Sequence, residues 1–120
     1  MPRVIPSVKL IRDYARAARD RGHALEAGDS DRANVHFDAL TSIYKELKRR
    51  GRLEGLAELA GDSDPNLRAA VAWALIEQDP QLARRLLEQV ATSPGLPGFS
   101  AQMTLREWDK GRLRFPTEAE

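Results

Sequence analysis

Two histidines, His23 and His36, are the side chains best suited to chemistry in this 120-residue chain. Carboxylates lie nearby in sequence at Asp29, Asp31 and Asp38. Imidazole and carboxylate together suit zinc or a related divalent ion. Such a site needs tight ligand spacing, as when two histidines four residues apart share one helix face, and no motif of that kind occurs. Both histidines are therefore read as helix-surface residues, with no metal and no cofactor expected.

The tetrapeptide Gly-Asp-Ser-Asp occurs twice, at 28–31 and 61–64. Its oxygen-rich composition invites comparison with a calcium loop. Neither copy runs on into the twelve-residue loop or ends in the bidentate glutamate that closes one. Each copy instead sits where one helical pattern stops and another starts. Glycine frees the backbone there, and Asp or Ser accepts N–H bonds from the coming helix. Capping is the expected role. Cysteine is absent, which removes disulfides, thiolate metal sites and thiol nucleophiles together. No serine-nucleophile elbow, phosphate loop or dinucleotide fingerprint occurs, and no pair of carboxylates stands apart as an acid and a base. The sequence gives no ground for expecting an enzyme.

Charge is the next source of function. The formal net charge is only +1, but residues 1–52 hold 12 Lys/Arg against 7 Asp/Glu, and residues 53–120 hold 7 against 11. Arg12, Arg16 and Arg19 fall on one helical stripe. Lys45, Lys48, Arg49, Arg50 and Arg52 cluster further on. Such a patch can bind phosphates with steep salt dependence. Against nucleic acid stand Asp13 and Asp20 on the same segment, and the lack of any base-reading motif. A solvated face is the simpler reading. The large aromatics Trp73 and Trp108 admit two roles. Either is core packing, or Trp108, flanked by Arg106, Arg112 and Arg114, belongs to a partner-binding patch, where tryptophan and arginine are favoured.

These residues must be held by helices. Val8, Ile11, Ala15, Ala18, Gly22 and Leu25 recur at three and four residues, with Tyr14 beside them, after Ser7 as N-cap and before Gly28 as stop. The second helix carries Ala33, Phe37, Leu40, Ile43, Tyr44 and Leu47 inward and ends at Gly51, with cations in the last turns where the dipole is negative. The short connection predicts an antiparallel hairpin. Leu53–Ala60 is a short helix ended by Gly61. Asp64-Pro65 and Asp79-Pro80 each open a helix, because proline's missing N–H is not needed in the first turn. The helix over 65–77 is apolar nearly all round, which predicts burial between neighbours. Leu82, Ala83, Leu86, Leu87 and Val90 carry the next helix to about Thr92. Ser93–Gly98 reads as a turn-rich break, and a last helix is expected from Phe99 to Lys110, ended by Gly111. Beyond it, Leu113 and Phe115 of an extended tail are expected to pack back. The start of the chain has no apolar stretch long enough for a secretory signal, and no run of about 18 apolar residues could span a membrane.

A shift of thirty residues superimposes Leu56 on Leu86, Ala60 on Val90, Val71 on Ala101 and Leu75 on Leu105. Two stacked helix pairs, 53–77 and 80–110, are therefore expected, each needing a neighbour to bury its inner helix. Asp64-Pro65-Asn66-Leu67-Arg68, with Ala69, Ala70, Val71, Ala72, Ala74 and Leu75, resembles the inner-helix signature of HEAT-type repeats. That resemblance implies that Asp64 and Arg68 tie neighbouring units together. The second pair departs from it, with Pro94 and Gly98 in their places. Tyr44-Lys45-Glu46-Leu47, the Leu67–Leu75 helix, and Gly98-Phe99-Ser100-Ala101 through Leu105-Arg106-Glu107-Trp108 and Gly111-Arg112-Leu113 together resemble a bacterial family of small proteins. It is known as the domain of unknown function number twenty-nineteen. The resemblance implies a bacterial, HEAT-like protein and brings no activity with it.

The expectation is an all-α chain of about six helices, forming a short right-handed α-α superhelix of HEAT-like helix pairs in one domain. It has an N-terminal hairpin (1–52), two stacked pairs (53–110) and a tail (111–120). The leading functional expectation is a non-enzymatic, cytoplasmic protein-interaction module with an unidentified protein partner and no membrane. A bacterial immunity or regulatory protein is one form of it, and Trp108, Arg106, Arg112 and Arg114 are its candidate contacts. The alternative is a weak nucleic-acid binder using Arg12, Arg16, Arg19, Lys48 and Arg49. Asp64, Pro65 and Arg68 are assigned to capping and repeat contacts.

Overall fold

The computed structural model describes residues 4–114, and every regular element among them is helical. Five α-helices follow in order: α1 (Ser7–Glu26), α2 (Ser30–Arg49), α3 (Pro65–Leu75), α4 (Pro80–Val90) and α5 (Gly95–Asp109). A 3-10 helix, Leu53–Leu59, lies between α2 and α3. The chain divides into two compact units, one ending at Gly55 and the other beginning at Leu56. Phe115, expected to pack back on the body, lies outside the described residues.

The first unit is built on the α1–α2 hairpin. Three residues join two 20-residue helices that pack together, so the pair is antiparallel. Gly28 ends α1 at φ +71. Its N–H bonds to the Leu25 carbonyl at 3.1 Å, and that of Asp29 to Ala24 at 2.9 Å. Gly51 repeats the arrangement after α2, at φ +68, with Arg52 N–H on the Leu47 carbonyl at 2.9 Å. In both, the last carbonyls of the helix find donors because glycine alone takes the left-handed turn without strain. Asp29 opens α2, its carboxylate accepting from Arg32 N–H at 3.0 Å.

The buried residues of the hairpin are graded in size along its length. Ala15, Ala17, Ala18, Gly22 and Ala24 of α1 are buried, as are Leu40, Tyr44 and Leu47 of α2. Antiparallel pairing sets the large Leu10 and Tyr14 of α1 at the Tyr44 and Leu47 end of α2, and the small Gly22 and Ala24 at the Ala33 end. Tyr14 is fully buried, and burial pushes its phenol well above the usual range, so it stays neutral. The buried face of α1 includes the middle of the expected stripe, Ala15, Ala18 and Gly22 with Tyr14 beside them, and is wider than it. Val8 is 64% exposed and Leu25 37%, whereas Leu10, Ala17 and Ala24 face inward. Alanine is small enough for either face, so α1 has no sharp apolar boundary to read. Ser7 is the first helical residue and not the cap. Pro6 holds the N-cap position, and the Ser7 hydroxyl accepts from Arg50 Nη1 at 3.2 Å.

Arg50 closes the open end of the hairpin. Its guanidinium donates to the Ile5 carbonyl and, through Nε, to Glu46 at 2.6 Å. Arg49 donates to both oxygens of the same carboxylate, at 2.9 and 2.6 Å. Hydrogen bonds from Arg49 and then Arg50 hold the Glu46 carboxyl down at about 2, from the usual 4.5.

The second unit follows the proline punctuation. Asp64 accepts from Asn66 N–H at 2.9 Å and Asp79 from Leu82 N–H at 3.2 Å, with Pro65 and Pro80 as the first helical residues. Asp62 Oδ1 accepts from Asp64 N–H at 2.9 Å, so the second Gly-Asp-Ser-Asp copy is turn and cap together. Within the unit α3 packs on both α4 and α5. That explains its apolar circumference: Leu67, Val71, Ala72, Ala74, Leu75 and Ile76 are all buried. Leu86, Leu87 and Val90 meet them from α4, and Ala101 is the buried side chain of α5. Leu113, in the segment after α5, is half-buried.

The start of α5 differs from the sequence expectation. The helix begins at Gly95, not at Phe99, and runs through the Pro/Gly-rich segment. The first-turn N–H groups of a helix need no intrahelical partner, so Pro97 costs nothing there. Gly95 takes φ +75 to make the turn in. Gly98 is buried because the chain doubles back on itself. A Cβ there would overlap the Ser93 carbonyl oxygen, and would lie 2.9 Å from its carbon and 3.4 Å from the Val90 oxygen.

Two predictions follow from these contacts. Gly98→Ala should destabilise the second unit by about 3 kcal/mol, because a backbone carbonyl cannot move aside as a side chain can. Gly61→Ala, with open space around it and no positive φ, should be near neutral. Thermal denaturation of the two variants checks the contrast. For Glu46 the folded-state pKa lies below the unfolded one, so its stabilisation is full above about pH 4.5 and is lost as pH falls toward 2. Glu46→Gln should therefore melt below the wild type at pH 6, with the gap closing by pH 2. Asp13 and Asp109 are lowered by Lys9 and Arg84 in the same sense, so both proteins should still lose stability in acid.

Candidate functional site

The polar clusters singled out by sequence are used up by structure or lie apart. His23 is exposed in the last turn of α1, and His36 is half-buried in the second turn of α2. Among the described residues no group of three or more His, Asp or Glu is placed to hold a metal ion. Asp29 and Asp64 are occupied as helix caps. A hollow of about 500 Å³ lies over Pro80, Gln81, Arg84 and Arg85. Its walls come from the first two turns of α4 alone, so it is a surface depression.

The basic residues of the first unit are strung out along the hairpin. Arg12 and Arg16 are exposed and Arg19 is half-buried. With a rise of about 1.5 Å per residue, they extend roughly 10 Å along α1. Lys48 lies over the Tyr44 ring at 5.8 Å, and Arg49 is committed to Glu46. The Lys9 ammonium likewise pairs with Asp13 at 2.8 Å. Near the α2 terminus Arg49 and Arg50 share the one carboxylate of Glu46, so most of the positive charge of that cluster remains.

Arg68, which the HEAT resemblance assigns with Asp64 to contacts between neighbouring units, reaches from α3 to α4. Its Nη1 donates to Gln89 Oε1 of α4 at 3.4 Å, a long contact, and its buried Nε has no hydrogen-bond partner among the described residues. Asp64 and Arg68 serve the start of α3 and the α3–α4 contact separately.

Trp108 is half-buried on α5. The Arg84 guanidinium of α4 stacks over its ring at 5.3 Å, and that guanidinium is fixed by Asp109 at 2.7 Å. Together these form a three-residue clasp between α4 and α5, with cation and ring attracted electrostatically. The clasp covers one face of the indole, so Trp108 works first as a packing residue. Arg106 is exposed one turn before the end of α5. Arg112 is exposed, and its Nε meets Glu107 at 3.3 Å. Its backbone N–H also bonds to the Glu107 carbonyl at 2.8 Å, completing the glycine stop at Gly111. Arg114 is exposed in the non-helical segment that follows. Arg106, Arg112 and Arg114 thus share one end of α5.

The feature that sequence reading missed is the outward face of α5. Leu96, Phe99 and Met103 are 51%, 62% and 39% exposed. They are spaced three and four residues apart, and Arg106 and Lys110 continue the same spacing. All five lie on one stripe of the helix. The stripe therefore begins apolar and ends cationic. Among the described residues, neither the Arg106 nor the Lys110 side chain enters a hydrogen bond or an ion pair. Phe99 makes this surface unusual, since an aromatic more than half exposed in line with two aliphatic neighbours is a common mark of a binding surface. Among the described residues no helix is long and apolar enough to cross a membrane.

Compared with known protein families, with curated proteins and with solved structures, the chain matches none.

Proposed function

We propose that this chain is a non-enzymatic protein-interaction module and that the outward stripe of α5 is its contact face. The observation that carries the reading is the alignment of Leu96, Phe99 and Met103, all exposed, with Arg106 and Lys110, cations that have no partner among the described residues. Interfaces favour exposed aromatics, methionine and arginine in this way. Arg112 and Arg114 extend the charged end, and Trp108 backs it through the Arg84 clasp. The cytoplasmic bacterial setting and the membership of the twenty-nineteen family belong to the same reading, as does a role as immunity or regulatory protein. All three rest on the sequence resemblance and on the small helical architecture.

Nucleic-acid binding through Arg12, Arg16, Arg19, Lys48 and Arg49 is the second reading. It is favoured by the exposed Arg12 and Arg16, and weakened by the pairing of Arg49 with Glu46.

Affinity capture from the native cell separates the two. A stoichiometric protein partner should be retained by the wild type and by an Arg12→Glu, Arg16→Glu, Arg19→Glu variant, and should be lost with Phe99→Glu. A salt-sensitive nucleic-acid complex abolished by the triple substitution, with Phe99→Glu silent, would overturn the proposal.

A further inference from the structure

The α5 stripe also constrains what can lie on it. We infer that its occupant is a short amphipathic helix of another protein, running antiparallel to α5, with carboxylates in its first turn and apolar anchors behind them. This rests on the reading of α5 as an interaction face.

Three observations lead there. The spacing of Leu96, Phe99, Met103, Arg106 and Lys110 alternates three and four, which is the spacing of a helix–helix seam. A helix laid along such a seam contacts every position of it. Second, the seam is polarised. Its N-terminal part is apolar, and its C-terminal part carries two cations with no acceptor among the described residues. The nearby carboxylates are engaged, Glu107 by Arg112 and Asp109 by Arg84. A partner that pairs with these cations brings acids to that end. Helix N-termini favour acidic residues and C-termini disfavour them. Acids opposite Arg106 and Lys110 thus place the partner's N-terminus there, which makes the pair antiparallel.

Third, the surface is small. Three partly exposed apolar side chains offer on the order of 300 Å², against the ~800 Å² per partner of a stable protein interface. A helix of two or three turns fits that area. A second copy of this chain does not fit the charge pattern. The first turn of α5 has no acidic residue. Antiparallel self-pairing would set Leu96 of one copy against Arg106 and Lys110 of the other and leave those cations unpaired.

The test uses the full-length chain and an unbiased library of displayed random 15-residue peptides. Selected peptides should share Asp or Glu ahead of apolar residues spaced three or four apart. A synthetic peptide of that consensus should bind in fluorescence anisotropy. Binding should weaken about 30-fold with Phe99→Glu, the size of an interface hot spot. It should weaken about tenfold with Arg106→Glu plus Lys110→Glu, and that double variant should prefer a peptide with lysine in place of the acids. Both variants alter exposed positions, and an unchanged circular-dichroism melt confirms that they fold. Several results would overturn the inference: no enriched motif, enriched peptides without carboxylates, acids placed after the anchors, or binding that survives Phe99→Glu. Self-association in sedimentation, lost with Phe99→Glu, would also overturn it in favour of a second copy. In that case, or if a captured native partner contacts α5 without an acidic helix, the interaction reading stands and only the partner chemistry fails.

Discussion

The absence of one methyl group, at Gly98, fixes the geometry of α5. Ser93 and Val90 turn their carbonyl oxygens to the space that a Cβ would occupy. Because the chain can close there, α5 begins at Gly95 directly after the turn that ends α4. The start sets the rotational phase of the whole helix. With that phase, Ala101 points into the unit, Trp108 reaches Arg84, and Leu96, Phe99 and Met103 are left outside. A start four residues later would shorten the stripe and remove Leu96 from it.

The first unit solves a different problem. Its helices are long and its buried α1 residues are mostly small, so the hairpin depends on close approach and on well-made ends. The glycine stops at 28 and 51 satisfy the last carbonyls, and Asp29 satisfies the first donors of α2. At the open end Arg50 binds the backbone before α1 and the carboxylate of Glu46 at once. Individual exposed ion pairs contribute little, but this guanidinium also takes a backbone carbonyl and a hydroxyl, which fixes its geometry. The same use of arginines and lysines for local structure leaves fewer of them for a distant partner. The contrast with α5 is physical: there Arg106 and Lys110 pair with no carboxylate among the described residues.

Much of this was legible in the sequence where a residue's chemistry admits a single backbone role. Asp before proline at 64 and 79, and glycine at 28, 51 and 111, gave helix boundaries that hold to within about two residues. The two Gly-Asp-Ser-Asp copies read correctly as turns and caps. Legibility failed where composition permits two answers. Alanine-rich α1 could bury either side, and its buried face takes in Leu10, Ala17 and Ala24 beside the expected Ala15, Ala18 and Gly22. Ser93–Gly98 looked like a break because Pro and Gly usually interrupt helices, yet both are tolerated in a first turn. That single displacement hid the candidate site, because a helix read from Phe99 onward has no Leu96 and no continuous stripe. The sequence placed Trp108 beside Arg106, Arg112 and Arg114, whereas the arginine that stacks on it is Arg84. That Arg84 covers one face of Trp108 depends on the α4–α5 packing, which no local pattern encodes.

The central claim is that α5 starts at Gly95 and keeps the Leu96–Phe99–Met103 face open to solvent. The chain has no cysteine, so single cysteines can be placed without background. The rate of thiol labelling at position 99, compared with position 86 where Leu86 is buried, tests it most directly. The account predicts labelling at 99 within about tenfold of the unfolded chain, and protection by orders of magnitude at 86. Protection at 99 equal to that at 86, in the free monomer, would contradict it.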